Sequence, residues 1–198
     1  MRPSSLHRSF LVLLALLAVA SFVRPARADQ LVIKRPGAHT PYAFEAEPHL
    51  LVGPVDPPGP GRGSGFGVGF RGTVVLADRA FISKLNNSVG IGFGLDWVFF
   101  GDARDCVDED LGPGQRIVCG DRIGYFWAPV VLQWNFFLSK NWSVFAEPGL
   151  ALRITSPGDL GIDPFVMYLG GRWHFSDNVT LTMRIGYPTF SVGVSFLM

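Results

Sequence analysis

The chain is short of charge. Only 17% of its 198 residues are charged, and the lysines are Lys34, Lys84 and Lys140 alone. With 48% apolar residues and 13% aromatics it lies far from the low-hydrophobicity, high-charge composition of disordered chains. The formal net charge of +1 leaves no basic excess for nucleic acid. Past residue 28 no apolar run reaches 18 residues, so no membrane-spanning helix is encoded there. Cysteine is scarce as well: Cys106 and Cys119, with no histidine near them, make a poor metal site. What is plentiful is glycine (24) and proline (15), which break long helices. A mostly β protein or a membrane protein remains.

The first 28 residues read as a signal peptide. Arg2, His7 and Arg8 precede an apolar stretch from Phe10 to Val23, and Ala26-Arg27-Ala28 supplies a small-residue cleavage site. The apolar stretch is too short to span a bilayer, which takes about 20 residues. Cleavage after Ala28 removes four arginines and no acid, which turns the formal charge negative. Residues 29–41 then form a short lead, and 42–198 a single domain.

Period-two alternation dominates the rest, and successive residues of a strand point to opposite faces. In 142–155, Val144, Ala146, Leu150, Leu152 and Ile154 oppose Ser143, Glu147, Gly149 and Arg153. The same test predicts strands over 42–53, 65–76, 88–100, 123–138, 164–175, 178–187 and 189–198. These runs exceed the common soluble-strand length of about 5–6 residues and match the ~9–11 of a tilted membrane strand.

The less apolar face decides between water and lipid. It reads Gly65, Gly67, Gly69, Arg71, Thr73 in one strand and Gly90, Gly92, Gly94, Asp96 in the next. A glycine stripe suits the crowded inside of a narrow barrel, which leaves the bulky apolar side chains to face lipid. Backbone groups in lipid must be paired, so the sheet must close. The expected fold is an all-β, eight-stranded antiparallel transmembrane up-and-down β-barrel preceded by a cleaved signal peptide.

Three connections are short and carry Asn: 83–87, 139–141 and 176–178. The others, 54–63, 101–121 and 156–163, are longer and rich in Gly, Pro or Asp. Tight periplasmic turns and long outer loops fit that asymmetry, with both termini periplasmic. Aromatic girdles follow from this topology. Trp97, Phe99, Phe126, Trp127, Tyr187 and Phe190 are expected at the outer interface, and Trp134, Phe136, Trp142, Trp173, Phe175 and Phe196 at the inner one.

On these features the chain resembles the small outer-membrane β-barrel superfamily of OmpA-, OmpX- and opacity-type proteins of Gram-negative bacteria, over roughly residues 42–198. The closing strand Phe190-Ser-Val-Gly-Val-Ser-Phe196-Leu-Met198 carries part of the likeness. The resemblance implies an outer-membrane location and recognition of the C-terminal strand by the barrel-assembly machinery, although the last aromatic here stands third from the end. It implies no single activity.

Eight strands enclose a bore that side chains can fill. Glu45, Glu47, Asp96 and Glu147 against Arg71, Arg153, Arg172 and Arg184 are expected to form an internal ion network, since buried charges are kept when paired. Cys106 and Cys119 are read as a disulfide that staples an outer loop, which export permits. Asp102, Asp105, Asp108, Glu109, Asp110 and Asp121 make that loop acidic; a solvated loop is the first reading and calcium the second. Gly67-Val-Gly69-Phe-Arg-Gly72 matches a nucleotide-binding pattern by letter, but it lies in a strand with no helix to follow. His49 and His174 fall on inward positions and His39 precedes the barrel; no catalytic grouping is evident. The expectation is therefore a non-enzymatic protein without cofactor or metal. It sits in outer-membrane lipid and meets an unidentified extracellular ligand through its loops. A narrow pore for small or hydrophobic solutes is the alternative, ahead of a lipid-modifying enzyme.

Overall fold

The computed structural model describes residues 30–53, 63–100, 105–107, 118–120, 123–155, 160–187 and 189–198. The expected signal peptide and much of the long loops lie outside the described residues. The strands are β1 (Phe44–Gly53), β2 (Gly65–Ala77), β3 (Asn87–Phe100), β4 (Asp105–Val107), β5 (Val118–Gly120), β6 (Ile123–Phe137), β7 (Trp142–Thr155), β8 (Leu160–His174), β9 (Val179–Gly186) and β10 (Phe190–Leu197). Eight of them close a barrel in the order β1-β10-β9-β8-β7-β6-β3-β2. Every pairing is antiparallel; barrel strands consecutive along the chain lie side by side, and β1 shuts the seam by pairing β10 as well as β2. No edge is left open, the condition lipid imposes on a sheet. β4 and β5 form a separate two-stranded sheet inside the stretch read from sequence as loop.

Alternation sorts the side chains inside out. Phe66 and Leu95 face outward at 58% and 51% exposed, while Glu47 and Arg172 face inward at 0% and 1%. Nothing but a bilayer makes that distribution favourable. The bore is filled in two zones. Toward the loop end it is apolar, packed by Leu51, Val98, Phe100, Tyr125, Trp127, Val131, Ala151, Val166 and Tyr168. The middle and the turn end are mostly polar, with Phe145, Phe137 and Leu197 as apolar exceptions. Inward glycines leave room for this filling. A Cβ on Gly69 would meet the His49 ring and the Asp96 carboxylate, and one on Gly170 would enter the Phe145 ring.

The alternation predicted from sequence holds in all eight barrel strands, with two corrections. Trp127 is not a girdle residue: it is 1% exposed and points into the bore, its ring stacked on Tyr125 at 5.0 Å. Adjacent residues cannot share a face, and Phe126 takes the outward position, stacked on Trp97 at 5.0 Å. The other correction concerns β8, which begins at Leu160, within the stretch expected to be loop. Gly149 pairs Val166 but Ala151 pairs Asp163, so β8 carries an extra residue near Pro164 and Phe165. A bulge is where a strand tolerates a proline, which has no N–H for the ladder.

The remaining girdle residues lie outward. Trp97, Phe99, Tyr187 and Phe190 are at the loop end. Trp142, Trp173, Phe175 and Phe196 are at the turn end, where Trp134 contacts Phe136 at 4.7 Å.

Candidate functional site: the bore and its two mouths

The centre of the bore is an interlocked set of ions. Arg184 on β9 reaches two strands at once. Its Nη1 and Nη2 donate to Glu47 on β1 at 2.7 and 3.0 Å, and its Nε and Nη2 donate to Glu147 on β7 at 2.8 and 3.2 Å. Arg172 on β8 makes a bidentate pair with Glu45 of β1 at 3.0 and 2.7 Å, and its Nη1 reaches Asn135 Oδ1 of β6 at 2.5 Å. Arg71 on β2 donates to Asp96 of β3 at 2.6 Å. Gln133 ties Glu147 to Thr73. The guanidinium carbon of Arg172 stands 4.2 Å from the centre of the Phe145 ring, and that of Arg71 stands 5.1 Å from Tyr168. Aromatic faces thus take up cationic surface that water would otherwise cover.

Sequence reasoning set His49 beside these residues but gave it no role. Its Nε2 lies 3.0 Å from Asp96 Oδ1, and its Nδ1 lies 3.3 Å from the Glu47 carbonyl and 3.4 Å from Glu47 Oε1. Both ring nitrogens face acceptors, an arrangement that the doubly protonated ring satisfies in full. With that proton, His49 and three arginines balance Glu45, Glu47, Asp96 and Glu147. Arg153 stands apart from this group. It pairs with Asp163 at 3.3 Å toward the loop end, both side chains about one-fifth exposed. Asp163 also accepts from Trp127 Nε1 at 3.1 Å. Asp163 went unnoticed in the sequence because only the bulge turns it inward.

The turn mouth is covered. The lead, expected only to precede the barrel, docks across it. Val32 N–H donates to Leu138 O at 2.9 Å, Asn86 N–H to Ile33 O at 2.7 Å, and Leu31 bridges Ser139. His39 stacks on Phe137 with ring centres 3.9 Å apart, and its Nδ1 contacts Asn86 Oδ1 at 2.6 Å. Behind it Ser143 Oγ lies 2.9 Å from His174 Nε2, a pair that sequence spacing did not reveal. Ser143 is fully buried, so a substrate has no access to its hydroxyl. At the loop mouth the β4–β5 register sets Cys106 directly opposite Cys119. The side chains of that sheet and the acidic residues between its strands lie outside the described residues, as does any calcium site there.

Charges enclosed, apolar side chains outward, no open edge, short turns at one end and long loops at the other define an integral outer-membrane β-barrel. No protein-family model and no curated protein matches the chain. Among solved structures it is similar to Ail, the attachment invasion locus protein of Yersinia pestis, in complex with the heparin analogue sucrose octasulfate. That likeness has 11% identity and a TM-score of 0.49 over 80% of this chain and 100% of the other. It is similar also to the outer-membrane protein OprG from Pseudomonas aeruginosa (12%, TM-score 0.49, 81% and 97% covered). Neisserial surface protein A is a third (13%, TM-score 0.42, 79% and 96% covered). Such likenesses concern fold and carry no activity with them.

Proposed function

We propose that the protein is a closed outer-membrane scaffold whose working surface is its outer loops, with a structural and surface-interaction role. The observation that carries this reading is Arg184, which reaches from β9 to both Glu47 and Glu147, together with Arg172, which crosses to Glu45 and Asn135. A bore crossed by such pairs, and packed with aromatic side chains toward the loop end, leaves no wide path for solutes. Binding on a rigid scaffold falls to its loops. The 101–122 loop, with six acids against Arg104, Arg116 and Arg122, favours a basic partner over a polyanion. Export by the signal peptide, insertion by the barrel-assembly machinery through the β10 strand and a Cys106–Cys119 staple belong to the same proposal.

Planar-bilayer recording of the purified protein tests the closed bore. No stable large conductance is expected, and a porin-sized step would establish the pore reading instead. Cells carrying the protein with its 101–122 loop trimmed should lose adhesion while the barrel still folds. Unchanged adhesion would remove the loop from the account.

A further inference from the structure

The lead and the β2–β3 turn (78–86) form one unit at the turn mouth. Besides the Ile33–Asn86 bond, the Arg79 guanidinium lies against Gly37, whose φ of 75° and missing Cβ leave room for it. This unit does not hide its apolar groups. Leu31 and Phe81 are 70% and 72% exposed, and Phe81 holds a φ of 34°, a backbone region that bulky residues rarely occupy. Its ring meets Trp134 edge-on at 5.3 Å, which extends the inner aromatic band past the ends of the strands.

Cations share these segments with the exposed apolar side chains. Lys34, Arg35, Arg79 and Lys84 are exposed on the unit, and Lys140 is exposed beside the Leu31–Ser139 bridge. Among the described residues the exposed acids at this end are Asp78, 3.9 Å from His39, and Asp177, which sits in the β8–β9 turn halfway round the barrel. Large apolar side chains on segments that also carry exposed Lys and Arg, next to an aromatic belt, fit an interface that is greasy below and negatively charged above.

The geometry points to a binding site for anionic phospholipid in the leaflet on the turn side, with the lipid phosphate on the cations of the lead and the β2–β3 turn and its acyl chains against Phe81 and Leu31. Lipid is favoured over an acidic soluble protein because Phe81 meets Trp134 of the lipid-facing band. The site is separate from the outer loops, so its failure would leave the closed-scaffold reading untouched.

Native mass spectrometry of the full mature protein, released from micelles doped with equimolar phosphatidylcholine and phosphatidylglycerol, tests the site. Phosphatidylglycerol should be retained about fivefold or more over phosphatidylcholine, since one basic residue near an anionic surface contributes roughly fivefold. Arg79→Ala with Lys84→Ala should move the ratio toward parity, with folding checked by heat-modifiable migration on gels. Lys34→Ala with Arg35→Ala is the second variant, should the turn fail to form in the first. Equal retention of the two lipids by the unaltered protein overturns the proposal, as does an undiminished preference in both variants.

Discussion

Arg184→Met removes one cation that serves two carboxylates. Glu47 loses hydrogen bonds of 2.7 and 3.0 Å and keeps contacts to Ser195 Oγ at 3.3 Å and to the His49 ring at 3.4 Å. Glu147 loses bonds of 2.8 and 3.2 Å and keeps only the Gln133 amide at 2.8 Å among its described hydrogen bonds. In a dry bore, stripping the partner from a buried carboxylate costs about 3–5 kcal/mol. In a wet one the same pair would be worth about 0–1 kcal/mol, as on a protein surface. The size of the effect therefore reports the state of the bore. Reversible urea unfolding in detergent micelles, followed by tryptophan fluorescence, measures it. The triple variant Arg184→Met, Glu47→Gln, Glu147→Gln should recover most of the loss, because the amides no longer need a cation. A cost below about 1 kcal/mol for Arg184→Met alone would mean that water screens these charges, and the closed bore would be refuted.

Three further outcomes are expected. Gly170→Ala should cost about 1–3 kcal/mol in the same urea assay, since its methyl group presses on the Phe145 ring beneath the Arg172 and Arg184 guanidinium groups; an unchanged midpoint would show the bore to be loose there. In non-reducing peptide mapping Cys106 and Cys119 should appear joined, a staple worth about 3 kcal/mol on the chain-entropy account; alkylation of both without reductant would dispose of it. Tyr42 lies outside the strands, and burial pushes its phenol above the ordinary value of about 10. The folded state thus holds this proton longer than the unfolded one, so stability should fall as pH rises above about 10 and Tyr42→Phe should flatten that fall. Identical alkaline profiles for the two proteins would count against it.

Much of the barrel was legible because strand alternation is a local property. Lipid requires large apolar groups on one parity and a narrow bore requires glycine or paired charge on the other, so each strand declares its faces without its neighbours. Trp127 was misplaced by an appeal to aromatic character where parity with Phe126 already decided the matter. The start of β8 was hidden because Pro164 reads as the first residue of a strand unless the bulge that accommodates it is known, and the bulge depends on the register with β7. The docking of 31–42 depends on distant partners, Asn86 and Leu138, and no period within the segment announces it. His49 could be placed inside from its parity, but its two acceptors come from different strands, so its link to Asp96 waited for the sheet to close.

The docked lead also carries a chronology. Its partners Asn86, Leu138 and Ser139 come from two turns that meet only after β3 has zipped against β6, across the longest link between barrel strands consecutive in the chain. The lead can settle only on that wall, so its docking follows the β3–β6 pairing during biogenesis. A fluorophore carried at Leu31 would accordingly report the moment β3 meets β6 and stay silent before it.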